Sequence, residues 1–482
     1  MNHKMILYIL RYVLCIESAI LLLPFAVSLV YSEASASVLA FAITALVCFT
    51  FAFPFTLKKP RDTELSVRDG LVAVALSWIL ISIMGSVPFI ISGYITSPVD
   101  ALFETVSGFT TTGASILKDV EILPNSILFW RAFTHWIGGM GVLVFLLIIL
   151  PSGNHMNLMK AESPGPSVDK LVPKVRATAK ILYGIYVVMT LLQIAILTFT
   201  DMTFFEAVLT SFSTAGTGGY GFLNSSMADF SAAAQIIVTV FMILFGVNFG
   251  AYYLILAKRF RKAFTHVEVL TYLGIIAAAI TVITVDIAGK FDYTASVGDA
   301  IRHSAFQVGS IMTTTGFSSC DFNLWPTLSK TVLVMLMFVG ACAGSTGGGI
   351  KVSRVMILIK SIGKELNSYI HPNSVKTLKL DKKPVEHEVV RGANVFIAVY
   401  VCIFAGSVLL ISLDGFDLVT NFTAVAATFN NIGPGLELVG PAANYSGFSN
   451  LSKLVMCFCM LAGRLELFPI LMLFNKNTWK KF

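Results

Sequence analysis

Thr110-Thr111-Thr112-Gly113-Ala114, Thr217-Gly218-Gly219-Tyr220, Thr313-Thr314-Thr315-Gly316-Phe317 and Asn431-Ile432-Gly433-Pro434-Gly435 recur along this chain of 482 residues. Each signature closes an apolar stretch too short to cross a bilayer and lies between two that are long enough, at about 20 residues, to do so. The glycines at 113, 218, 316 and 433 are 105, 98 and 117 residues apart, so one unit is used four times. Main chain that is not helical survives at membrane depth only where protein buries it or where it lines a watery cavity. Glycine, without a Cβ, lets successive carbonyl oxygens turn to one side and replace the hydration shell of a cation. Four such loops about an axis predict a cation pathway made from a single polypeptide. The competing reading is that these glycines only let helices pack closely; four occurrences in the same setting favour the pore.

Composition agrees. Apolar residues make up 56% of the chain and the mean hydropathy is +0.80, which excludes an ordinary water-soluble enzyme. Ten spans are expected, near 6–31, 36–57, 69–94, 127–150, 178–200, 232–257, 267–289, 329–360, 389–413 and 451–475. The fold class is therefore an all-α membrane protein: residues 1–57 form a transmembrane hairpin, and units over 58–151, 152–263, 264–375 and 376–482 each run span, re-entrant loop, span. The first run is expected to stay in place as a span, because it is longer than a signal-peptide core and carries Arg11 and Glu17. The seven cysteines form no metal-ligand spacing and read as small buried hydrophobes.

Placing the N-terminus in the cytoplasm puts 27 of the 34 Lys and Arg on one face, as positive-inside sorting requires, and leaves both termini cytoplasmic. The positive charge is thus spread along a membrane face, and no nucleic-acid partner is implied. The opposite face carries fifteen carboxylates, Glu104, Asp100 and Asp299 among them, against six bases. That asymmetry predicts a negative vestibule that concentrates cations at the pore mouth. In front of each signature stands a run fit for a short helix, beginning near Asp100, Asp201 or Thr203, Asp299 and Asp417; Asp or Thr serves as N-cap, with Glu104 and Glu206 near the positive end of the dipole.

These features resemble the Trk/Ktr/HKT superfamily of potassium transporters, most of all the membrane subunits of bacterial Trk systems, over essentially the whole chain. Besides the four signatures, the resemblance rests on Phe129-Trp130-Arg131 leading to Trp136-Ile137-Gly138-Gly139-Met140-Gly141, on Gly344-Ser345-Thr346-Gly347-Gly348-Gly349-Ile350-Lys351, and on Ala462-Gly463-Arg464. It implies a potassium-selective filter at Thr110, Thr111, Thr112, Gly113, Thr217, Gly218, Thr314, Thr315, Gly316, Asn431, Ile432 and Gly433. It also implies a homodimer in the bacterial plasma membrane and a cytosolic TrkA-like ring of regulatory subunits that carries the nucleotide; this chain needs no cofactor beyond the transported potassium. Glycine at the first filter, where sodium-preferring plant members carry serine, favours potassium. Asn431-Ile432 in place of Thr-Thr predicts looser discrimination against rubidium and, more weakly, sodium.

Five glycines between 340 and 349 should break the return helix of the third unit, since each costs about 1 kcal/mol in a helix interior. By resemblance the break is a gating loop of Gly344, Ser345, Thr346, Gly347, Gly348 and Gly349 with Lys351. A phosphate-binding loop is excluded, because Ile350 separates the glycines from the lysine and no Ser or Thr follows it. Arg464, expected near the middle of the last span, is costly there and hence a functional candidate; the resemblance makes it a positive group under the filter, and the bland alternative pairs it with Glu17 or Glu466. His135 reads as a satisfied interfacial histidine rather than a ligand. A secondary potassium symporter coupled to protons or sodium is the alternative mechanism, for which Glu17 and Glu466 are the available embedded carboxylates. An enzyme would need a nucleophile and base, a metal cluster or a phosphate loop, and none is legible.

Overall fold

The computed structural model describes residues 1–56, 60, 65–141, 175–372, 377–380 and 383–480. Apart from a two-residue hairpin that pairs Lys379–Leu380 with Lys383–Pro384, the described elements are helices, and the protein is an all-α membrane protein. His3–Val30 and Ser35–Thr56 form an antiparallel hairpin. Four units follow, each with an entry helix, a short helix that stops inside the protein, a loop, and a return helix.

The entry helices are Val67–Ser92, Val175–Leu197, Val267–Ile287 and His387–Ile411. The short helices, Pro98–Phe109, Phe204–Gly216, Val297–Met312 and Leu418–Phe429, each begin at a capped turn. Ser97 and Ser296 accept from the amides of Asp100 and Asp299, Thr203 and Glu206 form a reciprocal box, and Asp417 accepts from Thr420. The caps of the first and third are thus the serines, with Asp100 and Asp299 one turn inside. The Thr420 hydroxyl and amide also hold the Asp417 carboxyl below the usual carboxylate range.

The return helices depart from expectation. Among the described residues six helices are long and apolar enough to cross a membrane, or seven if one bent pair counts as a span, because no return helix runs unbroken for that length within them. The first ends at Met140, before Gly141 with φ +80, and the remainder of the expected span at 142–150 lies outside the described residues. The second turns through 89° between Ala232–Phe245 and Phe249–Leu256. The third, Thr327–Val339, stops at Gly340 and resumes as Val352–Ile370. The fourth, Asn450–Arg464, breaks where Glu466 and Leu467 take positive φ and continues as Phe468–Phe474. A gain in hydropathy does not require an unbroken helix, so the apolar runs concealed all but the glycine-rich interruption.

Packing fixes the first unit against the hairpin. Trp130 is fully buried, its indole donates to the Gly85 carbonyl at 3.1 Å, and its ring meets Phe41 and Phe109 edge-on. Truncation would leave a cavity, an unmade hydrogen bond and lost ring contacts. Trp130→Ala is expected to cost about 3 kcal/mol, read as a lower thermal midpoint of the detergent-solubilised protein, with Trp130→Phe losing less.

Candidate functional site

The four short helices end at one place, and their loops meet in a closed ring. At the same register each loop has a non-glycine residue of positive φ, namely Thr111, Thr217, Thr314 and Asn431 at +55 to +59°, followed two residues later by Gly113, Gly219, Gly316 and Gly433 at +75 to +99°. The left-handed region is unfavourable for a side-chain-bearing residue, so its fourfold recurrence marks backbone held by its surroundings. A β-carbon on Gly113 would stand 1.9 Å from the Gly218 oxygen, one on Gly219 2.0 Å from Thr315, one on Gly316 2.0 Å from Ile432, and one on Gly433 2.8 Å from Thr112. Each loop therefore abuts the carbonyl of the next, and the fourth returns to the first. This contact pattern corrects one register: Gly219 is the counterpart of Gly113, Gly316 and Gly433, and Gly218 stands where the other loops carry Thr112, Thr315 and Ile432. Spacing could not separate two adjacent glycines; their φ values do.

Cross-links differ from joint to joint. Between the first and second loops, Arg131 pairs with Glu104 at 2.9 Å and donates to the Gly221 carbonyl, while the Tyr220 hydroxyl donates to the Glu104 carbonyl. Between second and third, the Met227 amide donates to Ser318 and the Ser318 amide to Ser226. Between fourth and first, Asn431 donates to the Thr112 hydroxyl and the Tyr445 amide to the Ser115 carbonyl, while Asn431 also donates to the Met460 carbonyl within its own unit. Asn431 thus acts as a brace as well as a filter-signature departure. His135 is not interfacial: it is fully buried behind the second loop, with Nδ1 2.7 Å from the Gly108 oxygen.

On one face the ring opens to a cavity of about 150 Å³ that touches all four glycines, together with Lys118, Arg131, Tyr220, Asn444 and Tyr445. Among the described residues that line it there is no carboxylate, so the expected negative charge does not lie in the wall of this cavity. The acids are used locally: Asp100 meets Lys453 at 2.6 Å, Asp286 meets Lys290, Asp299 meets Arg302, Asp201 receives Ser231, and Glu104 is buried in its ion pair. Counting charge by face could not reveal which acids were already engaged.

Against the other face, where the short helices end, lies the break of residues 340–351. The Gly348 amide donates to the Thr314 hydroxyl at 2.6 Å, and a β-carbon on Gly348 would stand 2.6 Å from the Asn430 carbonyl oxygen. The Ser345 hydroxyl donates to Cys342, that of Thr346 to Phe245, and Gly344 and Gly349 take positive φ. Lys351, buried, donates to the carbonyls of Gly347 and Gly348. Arg464 is the last residue of its helix rather than a mid-span residue, and its guanidinium donates to the carbonyls of Thr346, Gly138 and Gly139. Glu466 pairs with Arg354 instead. Sequence reasoning missed Glu268: buried in an entry helix, its carboxylate accepts from the amides of Ala343 and Ser353 and so holds both ends of the break. A single Glu in an apolar run was the available signal.

Among the described residues no group of three or more His, Cys, Asp and Glu converges to hold a metal; the oxygens that abut the four glycines of the ring are main-chain carbonyls. A family model described as TrkH, cation transport protein, matches residues 36–481. The chain is 35% identical to the Trk system potassium uptake protein TrkH of Halomonas elongata and 33% identical to that of Escherichia coli K12, with all of each chain covered. The crystal structure of the potassium transporter TrkH from Vibrio parahaemolyticus matches with a TM-score of 0.89 and 32% identity over the whole of both chains.

Proposed function

The chain belongs to the TrkH family of cation transport proteins, and we propose that it admits potassium through the ring of loops, by a gated, channel-like route across the bacterial plasma membrane. The observation that carries this reading is the cyclic contact of four glycine turns. Their carbonyls would strip water from a potassium ion, and the negative ends of four short helices would favour a cation on that axis. The driving force is the membrane potential, about 2.3 kcal/mol per charge per 100 mV. Thr110, Thr111, Thr112, Gly113, Thr217, Gly218, Gly219, Thr314, Thr315, Gly316, Asn431, Ile432 and Gly433 form the filter in this proposal, accepting rubidium well and sodium less. Residues 344–349 with Lys351 and Arg464 form the gate.

We propose that the chain is organised as a hairpin over 1–57 and units over 58–151, 152–263, 264–375 and 376–482, with both termini in the cytoplasm. A homodimer and a cytosolic, nucleotide-binding regulatory ring complete the system, the latter met by the exposed bases of the segment that follows the buried Lys351 and runs to Arg391, Lys360 and Lys379 among them. A coupled symporter is less well supported, because Glu466 is engaged with Arg354 and Glu17 lies in the hairpin, outside the four units. In a planar bilayer the reversal potential of the purified protein is expected to follow the potassium gradient and to ignore pH. A shift with pH at fixed potassium would establish coupling and remove the passive reading.

A further inference from the structure

We propose that His135 is a specificity-determining positioning residue, whose imidazole stands in for the side chain that the second loop lacks at Gly218; this rests on reading the ring as the potassium filter. Aligned on their positive-φ glycines, the loops carry Thr110 and Thr112, Gly216 and Gly218, Thr313 and Thr315, and Asn430 and Ile432 at the two positions that back the ring. In the first and third loops those positions form hydroxyl pairs 2.8 and 2.7 Å apart, and Thr110 and Thr313 are further tied to the Val106 and Gly309 carbonyls. In the fourth, Asn430 bonds Ala426 and Tyr400, and Ile432 is fully buried.

The second loop has neither side chain. Three of its four ring residues are glycine, the residue that loses most conformational freedom when ordered. The space is filled from another unit. A β-carbon on Gly218 would stand 2.3–2.5 Å from Cγ, Nδ1 and Cδ2 of His135, and one on Gly216 would stand 2.2 Å from the His135 carbonyl oxygen. The ring is itself fixed: Nδ1 faces the Gly108 oxygen and so carries the proton it donates, and Tyr220 lies against the imidazole at a centroid distance of 4.2 Å. Imidazole and missing side chain are therefore alternatives for one volume. By filling that volume the imidazole backs the main chain at Gly218, whose carbonyl Gly113 abuts.

The test is the ratio of initial potassium to sodium influx into proteoliposomes of the full chain. His135→Ala and Gly218→Ala are each expected to lower the ratio about tenfold, and His135→Ala combined with Gly218→Thr to restore it to within about threefold of the starting protein. A residue that merely stabilises the helix would not be rescued by a loop substitution. An unchanged ratio in His135→Ala, or a double variant no better than that single one, overturns the proposal. Should His135→Ala not fold, a folded and selective double variant supports the exchange, and a double variant that also fails to fold overturns it. Gly113→Ala separates the two levels: if it too leaves the ratio unchanged, the filter reading itself falls.

Discussion

Gly113→Ala should lower the potassium-to-sodium flux ratio by at least about thirtyfold, the equivalent of about 2 kcal/mol, without preventing the protein from folding. Two costs meet at this position. The left-handed φ of +78° is unfavourable by about 1–2 kcal/mol for any residue with a Cβ. The new methyl would also lie 1.9 Å from the Gly218 oxygen, inside any permissible contact. That oxygen cannot retreat freely, because Gly218 already rests on the His135 ring. Relief therefore has to come from displacing a carbonyl of the ring, where the proposed filter would discriminate between alkali cations. Gly93→Ala is the control: Gly93 has φ +81° but nothing within 4 Å of its added carbon. It should lose comparable stability and leave the ratio alone. Equal ratios for the two variants would show that selectivity does not reside in the ring.

The same ring shows what a sequence discloses and what it withholds. A glycine recurring about every hundred residues after a capped short run was enough to fix four re-entrant loops, because the chemistry of bare backbone at membrane depth admits few alternatives. The choice between Gly218 and Gly219 was not legible, since both satisfy the motif and only φ distinguishes them. His135 was invisible as a functional residue because its partner glycine lies 83 positions away, in another unit. The breaks at Gly246 and Glu466 were hidden for a different reason. A hydropathy window averages over a local turn, and those turns carry one glycine or none within the break, whereas Gly344 to Gly349 announces itself. The acids misled in the opposite sense: face-by-face counting adds Glu104 to the charge of the outer face, while the structure commits it to Arg131.

Arg464→Ala is expected to raise potassium flux at least about tenfold while leaving the potassium-to-sodium ratio unchanged. The guanidinium bridges two separate pieces of the molecule, the Thr346 carbonyl in the break and the Gly138 and Gly139 carbonyls at the end of the first return helix. Charge-assisted bonds of this kind contribute about 1.5–3 kcal/mol each where they are shielded. In the proposed gate, if the three bonds together favour closure over opening by no more than the worth of one, their loss moves the closed-to-open ratio by a factor of about 10 to 150. Lys351 binds differently, since its acceptors Gly347 and Gly348 belong to the break itself. Its loss should deform the loop without untying it from the first unit. Arg464→Lys should fall between, because an ammonium keeps the charge but loses the planar fork that reaches both pieces at once. A correctly folded Arg464→Ala protein with unchanged or reduced flux would mean that the break is not held shut by this residue, and that closure depends on the contact between Gly348 and Thr314 at the ring.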